Sequence, residues 1–195
     1  MQLDHAERGF SFLRDGPLDM RMDSRQKLTA EKIVNEWPEE ELAMIIREYG
    51  EEPRWKKAGK AIVMARRKDK IRSTTQLANI LSQALRTRVR GKLHPATLVF
   101  QALRMAVNHE LSSIDDGIRK AIQWLSPNGK IVVMSFHRLE DRIVKHIFRS
   151  YSNPKEMKEF FLKVLTKKPI APSLSEKRNN RRARSAKLRV AQKIS

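Results

Sequence analysis

The sequence contains no cysteine, which excludes a disulfide, a zinc–thiolate centre and a thiol nucleophile within this chain. No apolar run approaches the roughly 18–20 residues that span a bilayer. The opening MQLDHAERGF also lacks the apolar segment of a secretory signal. These absences set the expectation of a soluble, cytoplasmic protein. A glycine-rich phosphate loop is missing as well, and no His/Asp/Glu group shows metal-ligand spacing, so no metal is expected. Acidic residues are scarce relative to basic ones: 22 Asp and Glu stand against 41 Lys and Arg, a formal charge of +19. With a pI near 10.6, the expected partner is a polyanion, either nucleic acid or an acidic membrane surface. The 195 residues suffice for one sizeable core or two small ones.

What is present is organised around Trp124 to Phe148, WLSPNGKIVVMSFHRLEDRIVKHIF. Ser126-Pro127-Asn128-Gly129 is a run of turn residues. Lys130 to Phe136 then reads as a short apolar strand whose β-branched centre predicts burial on both faces, as in a parallel sheet. Leu139, Ile143, Val144, Ile147 and Phe148 follow at helical spacing. Glu140 and Asp141 fall in the first turn, with Lys145, His146 and Arg149 towards the last, an order that suits the helix dipole. The unit is strand–loop–helix, the building block of an open α/β sheet, whose ligands collect beyond the carboxyl ends of strands. Here that end is Ser135-Phe136-His137. The plainer reading of His137 is a histidine hydrogen-bonded in a strand-end turn, and Glu140 and Asp141 serve as dipole partners in either case.

Earlier in the chain, Gln2 to Asp23 shows no helical period and is broken by Gly9 and Gly16-Pro17. Its aromatics and paired charges suit either a site-lining loop or a packed connection with local ion pairs. From residue 28 to 91 the character is helical. Thr29 to Trp37 is one short helix. Pro38 opens a second, with Leu42, Ile45, Ile46 and Tyr49 inward and Gly50 at its end. A third starts near Pro53, and Ser73-Thr74-Thr75-Gln76 forms a capping box before a fourth. Arg86 to Lys92 is a basic connector. Pro95 opens a long apolar-periodic stretch to Leu125, with Ser112-Ser113 as the expected break.

After a turn at Asn153-Pro154, residues 160–165 and 186–190 alternate with period two and read as two strands pairing antiparallel at a sheet edge. The Pro-, Ser- and Arg-rich segment between them is expected to be a long loop. Within it, Lys177, Arg178, Arg181, Arg182 and Arg184 form a polyanion footprint, the plainer reading being a solvated charge run.

Four segments resemble one family closely: RGFSF-x-x-DGPLDMRMD (Arg8 to Asp23), HPAT-x-x-FQALR-x-x-VN-x-EL (His94 to Leu111), SFH-x-LEDRIVK (Ser135 to Lys145) and ARSAKLR (Ala183 to Arg189). They look like the ribosomal RNA small-subunit methyltransferase H, or MraW, family. That resemblance implies an enzyme transferring a methyl group from S-adenosylmethionine to the exocyclic N4 of a cytosine at the decoding centre of small-subunit ribosomal RNA. It also implies the small ribosomal subunit as partner, no membrane partner, and leaves room for a homodimer. The implied fold class is α/β, the C-terminal part of a Rossmann-like methyltransferase sheet with an inserted all-α helical domain. The domains expected are residues 1–27 with 92–195 for the methyltransferase part and 28–91 for the insertion, a recognition domain for RNA. The family has Ser where this chain has Arg138. Its members also carry a stretch before the position of Gln2, with the first strands, the glycine-containing cofactor loop and the acidic residue for the cofactor ribose. The resemblance therefore implies a partial enzyme, in which Gln2 is the one surviving cofactor contact.

Cytosine N4 is a weak nucleophile because its lone pair is delocalised into the ring. Catalysis then rests on positioning and electrostatics, without a metal. The base must be presented unstacked against aromatic faces. By resemblance, Phe10 and Phe12 are the stacking candidates, and Asp15, Asp19 or Asp23 the acceptors from the amine or the organisers of the loop. Arg14 and Arg21 are candidate phosphate contacts, and His137 a further catalytic candidate. A C5 mechanism needs a cysteine nucleophile, which this chain lacks. The competing class is a non-catalytic RNA-binding module that keeps the helices and the basic segment without cofactor chemistry.

Overall fold

A computed structural model describes residues 5–85, 94–153 and 160–194. Gln2, the basic connector before His94 and Pro154 lie outside the described residues. The chain divides into two compact units, Met1–His109 and Glu110–Ser195.

Local capping chemistry sets the helices of the first unit. Thr29 Oγ1 accepts the Lys32 N–H and opens α1 (Ala30–Glu36). Pro38 stands at the N-cap of α2 (Glu39–Glu48), whose first turn carries three glutamates that favour its positive end. α3 spans Trp55–Arg66, and the Arg66 guanidinium donates to the carbonyls of Val34 and Trp37, closing the end of α1. α4 (Thr74–Ala84) starts at Ser73, whose hydroxyl accepts the Gln76 N–H. The Gln76 side chain takes the N–H of Arg72 rather than that of Ser73, so the box closes one residue earlier than the motif implies. α5 (Thr97–Val107) ends at Asn108, and His109 takes a left-handed φ of 50°. The long periodic stretch therefore breaks there and not at Ser112-Ser113. Those serines sit exposed in the first turn of α6 (Glu110–Trp124), where short hydroxyl side chains are well tolerated.

One core holds this unit together. It joins Ile33, Leu42, Ile46, Ile62, Leu77 and Leu81 from the first four helices with Leu103 and Phe100 from α5, and with Phe10, Leu18 and Met20 from the loop before α1. The stretch 28–91 is thus not closed on itself. Its apolar stripes need the flanking segments, so the compact unit runs to His109.

The second unit contains α6, β1 (Lys130–Ser135), α7 (Arg138–Ser150), β2 (Phe161–Val164), α8 (Leu174–Asn179) and β3 (Lys187–Ile194). Its sheet order is β1-β3-β2, antiparallel throughout, with Val132 opposite Val190 and Phe161 opposite Ile194. The two period-two strands do pair antiparallel, with β3 central rather than at an edge. β1 departs from the doubly buried parallel strand expected of it. Ile131 is buried, whereas Val132 and Met134 are 58% and 56% exposed. Ile118, Ile122, Val144, Ile147 and Phe148 of α6 and α7 meet Ile131, Leu162 and Ala191 in one core. An uninterrupted β-branched run is compatible with either sheet type, and here the helical core covers only one of its faces. The basic segment is also more structured than a loop: Ser173 caps α8 through the Glu176 N–H, and Asn180 caps a 3-10 turn, Arg181–Ser185, through the Arg182 N–H.

Candidate functional site

In the first unit, the motif around Arg8 to Asp23 is a loop held by its own charged groups. Gly9 has φ 69°, and a Cβ there would collide with the Pro17 carbonyl oxygen, so only glycine permits this approach. Arg8 donates to the carbonyls of Arg21 and Met22 at 2.8 and 3.0 Å. Arg21 grips both carboxylate oxygens of Asp19, at 2.8 and 2.7 Å, and also donates to the Ser24 and Gln26 carbonyls. Four of its five donor hydrogens are thereby used within the loop. Asn108, buried at the end of α5, fastens the loop from a distance in sequence. Its amide donates to the Met20 carbonyl at 2.7 Å, and its oxygen accepts the Met22 N–H at 2.7 Å. Local spacing does not reveal this interior polar role of Asn108, whose partners are more than 80 positions away. A lone asparagine closing an apolar helix is the available signal.

The three aspartates have separate partners. Asp15 accepts from the Thr75 N–H and hydroxyl at the start of α4, and those bonds hold its carboxyl below the usual range. Asp19 is lowered by the Arg21 hydrogen bond, against partial burial. Asp23 is lowered by its bond to Arg25. Carboxylates held this low are weak proton acceptors at neutral pH but remain good hydrogen-bond acceptors. Phe10 is 7% exposed and belongs to the core, so its face is not free to receive a base. Phe12 is half-buried, its ring 4.6 Å from the His94 ring and edge-on to Phe100. Arg14 is exposed.

In the second unit, the turn from β1 into α7 gathers a histidine and two glutamates. His137 is the N-cap of α7: Nδ1 accepts the Glu140 N–H at 3.4 Å, while the Glu140 carboxylate accepts the N–H groups of Phe136 and His137 at 2.7 and 3.2 Å. Nε2 lies 3.1 Å from the other Glu140 oxygen, buried and in a direction that makes no hydrogen bond. Glu110, at the start of α6, brings a carboxylate within 4.8 Å of both. This grouping was invisible to local spacing. Burial pushes the Glu140 carboxyl up, but His137 and the backbone donors outweigh it and leave it below its ordinary value. The capping role of His137 is the plainer of the two readings of this residue.

One turn further, Asp141 is buried and meets Arg189 of β3 through two bonds of 2.7 and 3.1 Å, with Lys187 Nζ at 3.4 Å. Burial raises its carboxyl, and Arg189 and Lys187 pull it below the ordinary range. The pair ties the segment SFH-x-LEDRIVK to ARSAKLR. Arg178, Arg181, Arg182 and Arg184 are exposed and Lys177 half-buried, on α8 and the turn after it, while Ala183 points into the protein and anchors that turn.

S-adenosylmethionine requires a cradle for its methionine carboxylate and ribose hydroxyls, usually a glycine-bearing strand-to-helix turn with free N–H groups. The turn before α7 has no glycine, and Glu140 already takes the N–H groups of Phe136 and His137. The described residues do not fit the cofactor by themselves, and Gln2 lies outside them. Among the described residues, no helix is long and apolar enough to cross a membrane.

The MraW methylase family model matches residues 1–194. The chain is 48% identical to the ribosomal RNA small subunit methyltransferase H of Carboxydothermus hydrogenoformans, covering 100% of this chain and 66% of that protein. It is 53% identical to the protein of that name from a Sulfurihydrogenibium species, over 96% of this chain and 63% of the relative. With the Rippkaea orientalis protein of the same name it shares 50% identity, over 98% and 60% of the two lengths. The chain thus spans slightly less than two thirds of the length of these relatives. Identity at this level over nearly every residue places the chain in the MraW methylase family.

Proposed function

We propose that this chain is part of an S-adenosylmethionine-dependent methyltransferase that modifies the exocyclic N4 of a cytosine at the decoding centre of small-subunit ribosomal RNA, and that it supplies much of the RNA-facing surface. The observation that carries this reading is the match of residues 1–194 to the MraW family, with relatives named ribosomal RNA small subunit methyltransferase H near 50% identity. The charge of +19 fits a ribosomal substrate. In this reading the loop of Asp15, Asp19 and Asp23 orders the approach to the base, and Phe12 offers the aromatic face that the buried Phe10 does not. The exposed arginines of the 178–184 segment hold phosphate.

The described residues present no cofactor cradle, so the isolated chain is expected not to bind S-adenosylmethionine in the low micromolar range by calorimetry. Fused behind the first third of a curated relative, it is expected to transfer a labelled methyl group to small ribosomal subunits. Nucleoside mass spectrometry then reads the product as N4-methylcytidine. Methylation at carbon 5 or of another base would overturn the N4 assignment. RNA binding without transfer by the fusion would favour a binding module.

A further inference from the structure

We propose that the groove between α2 and α3 is a binding site for one unstacked nucleotide of single-stranded RNA, with the base on Trp55 and its phosphates on Lys56 and Lys60. The proposal deepens the reading of the chain as RNA-directed by naming a contact outside every motif quoted above.

The groove has a volume of about 530 Å³, within the roughly 300–1,000 Å³ of small-ligand clefts. Its floor is apolar, formed by Ala43, Met44 and the Trp55 ring. The two helices approach closely because α3 carries Gly59 opposite Ala43, where a Cβ would lie 3.1 Å from the Ala43 Cβ. Met44 is 50% exposed, an apolar side chain of α2 left in solvent while Leu42, Ala43 and Ile46 of the same helix are buried. Trp55 is half-buried against the core of the first unit, so its ring is held by packing while its outer part faces the groove.

Charge is divided across this floor. Arg47 Cζ and Lys56 Nζ lie 5.3 and 5.1 Å from the Trp55 ring centroid, and Lys60 follows Lys56 one turn on. Glu39 and Glu40, at the start of α2, line the groove as well. Lys56, Lys60, Glu39 and Glu40 have no ion-pair partner among the described residues, and Arg47 has only the exposed Glu48 beside it. An apolar slot with an indole ring, two lysines without an ion-pair partner and two such carboxylates along its lining matches a nucleotide. Its π-face stacks on indole, its phosphates meet the cations, and its exocyclic amine or ring N–H donates to a carboxylate. A fully paired duplex offers no free base face and does not fit.

The test uses the whole chain with Trp37→Phe and Trp124→Phe, so that Trp55 is the sole emitter of its kind, with the circular dichroism melting curve confirming the fold. A mixed-sequence single-stranded decaribonucleotide should quench Trp55 emission in a saturable manner, and the same sequence as a duplex should not. Exposed substitutions probe the site without touching the core. Lys56→Ala with Lys60→Ala should reduce the log–log salt slope of binding by about 0.7 per lost phosphate contact. Met44→Glu should weaken binding about tenfold. Binding measured separately by anisotropy of labelled RNA divides the outcomes. RNA that binds without quenching Trp55, or with Met44→Glu unchanged, overturns the site, leaves the RNA-directed function standing and points to a protein segment as the occupant. Failure of the chain to bind single-stranded RNA at all overturns both.

Discussion

Asp141 and Arg189 sit 48 positions apart and form the most enclosed ion pair among the described residues, with side chains 12% and 8% exposed. Two charges removed from water are tolerable only while each has the other. Asp141→Asn leaves Arg189 buried beside Lys187 without a counter-charge and is expected to cost about 3–5 kcal/mol in urea unfolding. The double change Asp141→Leu with Arg189→Met should recover most of that loss, since an apolar pair of similar volume needs no counter-charge. Acid unfolding carries the same signature. The folded carboxyl lies below the ordinary Asp value of 3.8, so on acidification the unfolded chain takes up its proton first. The stabilisation is complete above that value and is lost as pH falls through the folded one. Stability measured between pH 5 and pH 2 should therefore fall less steeply in the Asn variant than in the parent.

α7 shows how one side chain at an element's end performs a task open to a different reading. His137 caps the helix through Nδ1 and Glu140 closes the reciprocal bonds, so the first turn is satisfied locally. His137→Ala should lower thermal stability by about 1 kcal/mol, and His137→Asn should restore most of it because an amide oxygen caps equally well. A reaction role predicts something else: methyl transfer in the fused enzyme would be lost in the Asn variant despite its recovered melting temperature. Activity that tracks stability across both variants would assign His137 to capping alone. β1 makes a related point for strands. Its apolar run points to a doubly buried parallel strand, and the antiparallel pairing of Lys130–Ser135 against Lys187–Gln192 decides otherwise.

At the scale of the molecule, the core of the first unit defines what folds by itself. A fragment of residues 28–91 leaves behind Phe10, Leu18, Met20, Phe100 and Leu103, all buried in the intact chain. It is expected to give a broad, weakly cooperative melt by circular dichroism, whereas residues 5–109 should unfold in one sharp transition. Equal cooperativity for both would mean the flanking segments add little. The charge of +19 belongs to this scale too. Replacing Arg178, Arg181 and Arg182 by Ala should weaken RNA binding and flatten its salt slope by about two units, with sequence preference little changed. An unaltered slope would make the segment a solvated face.

The sequence by itself determined the features that depend on neighbours within a turn of helix or along a strand. Thr29, Pro38 and Ser73 announced the starts of α1, α2 and α4, and the period-two segments after residue 160 announced β2 and β3, because caps and alternation are local requirements. The four motifs carried the family. Tertiary structure alone decided the rest. It placed Phe10 in a core, spent Arg21 on Asp19 and two carbonyls, and brought Asn108 to Met20 and Met22 across more than 80 positions. It also set Glu110 beside His137 and paired Asp141 with Arg189. Each of these is a partner choice made when the chain returns on itself: a buried polar group must find a complement wherever folding brings one, and no local spacing records which residue that will be.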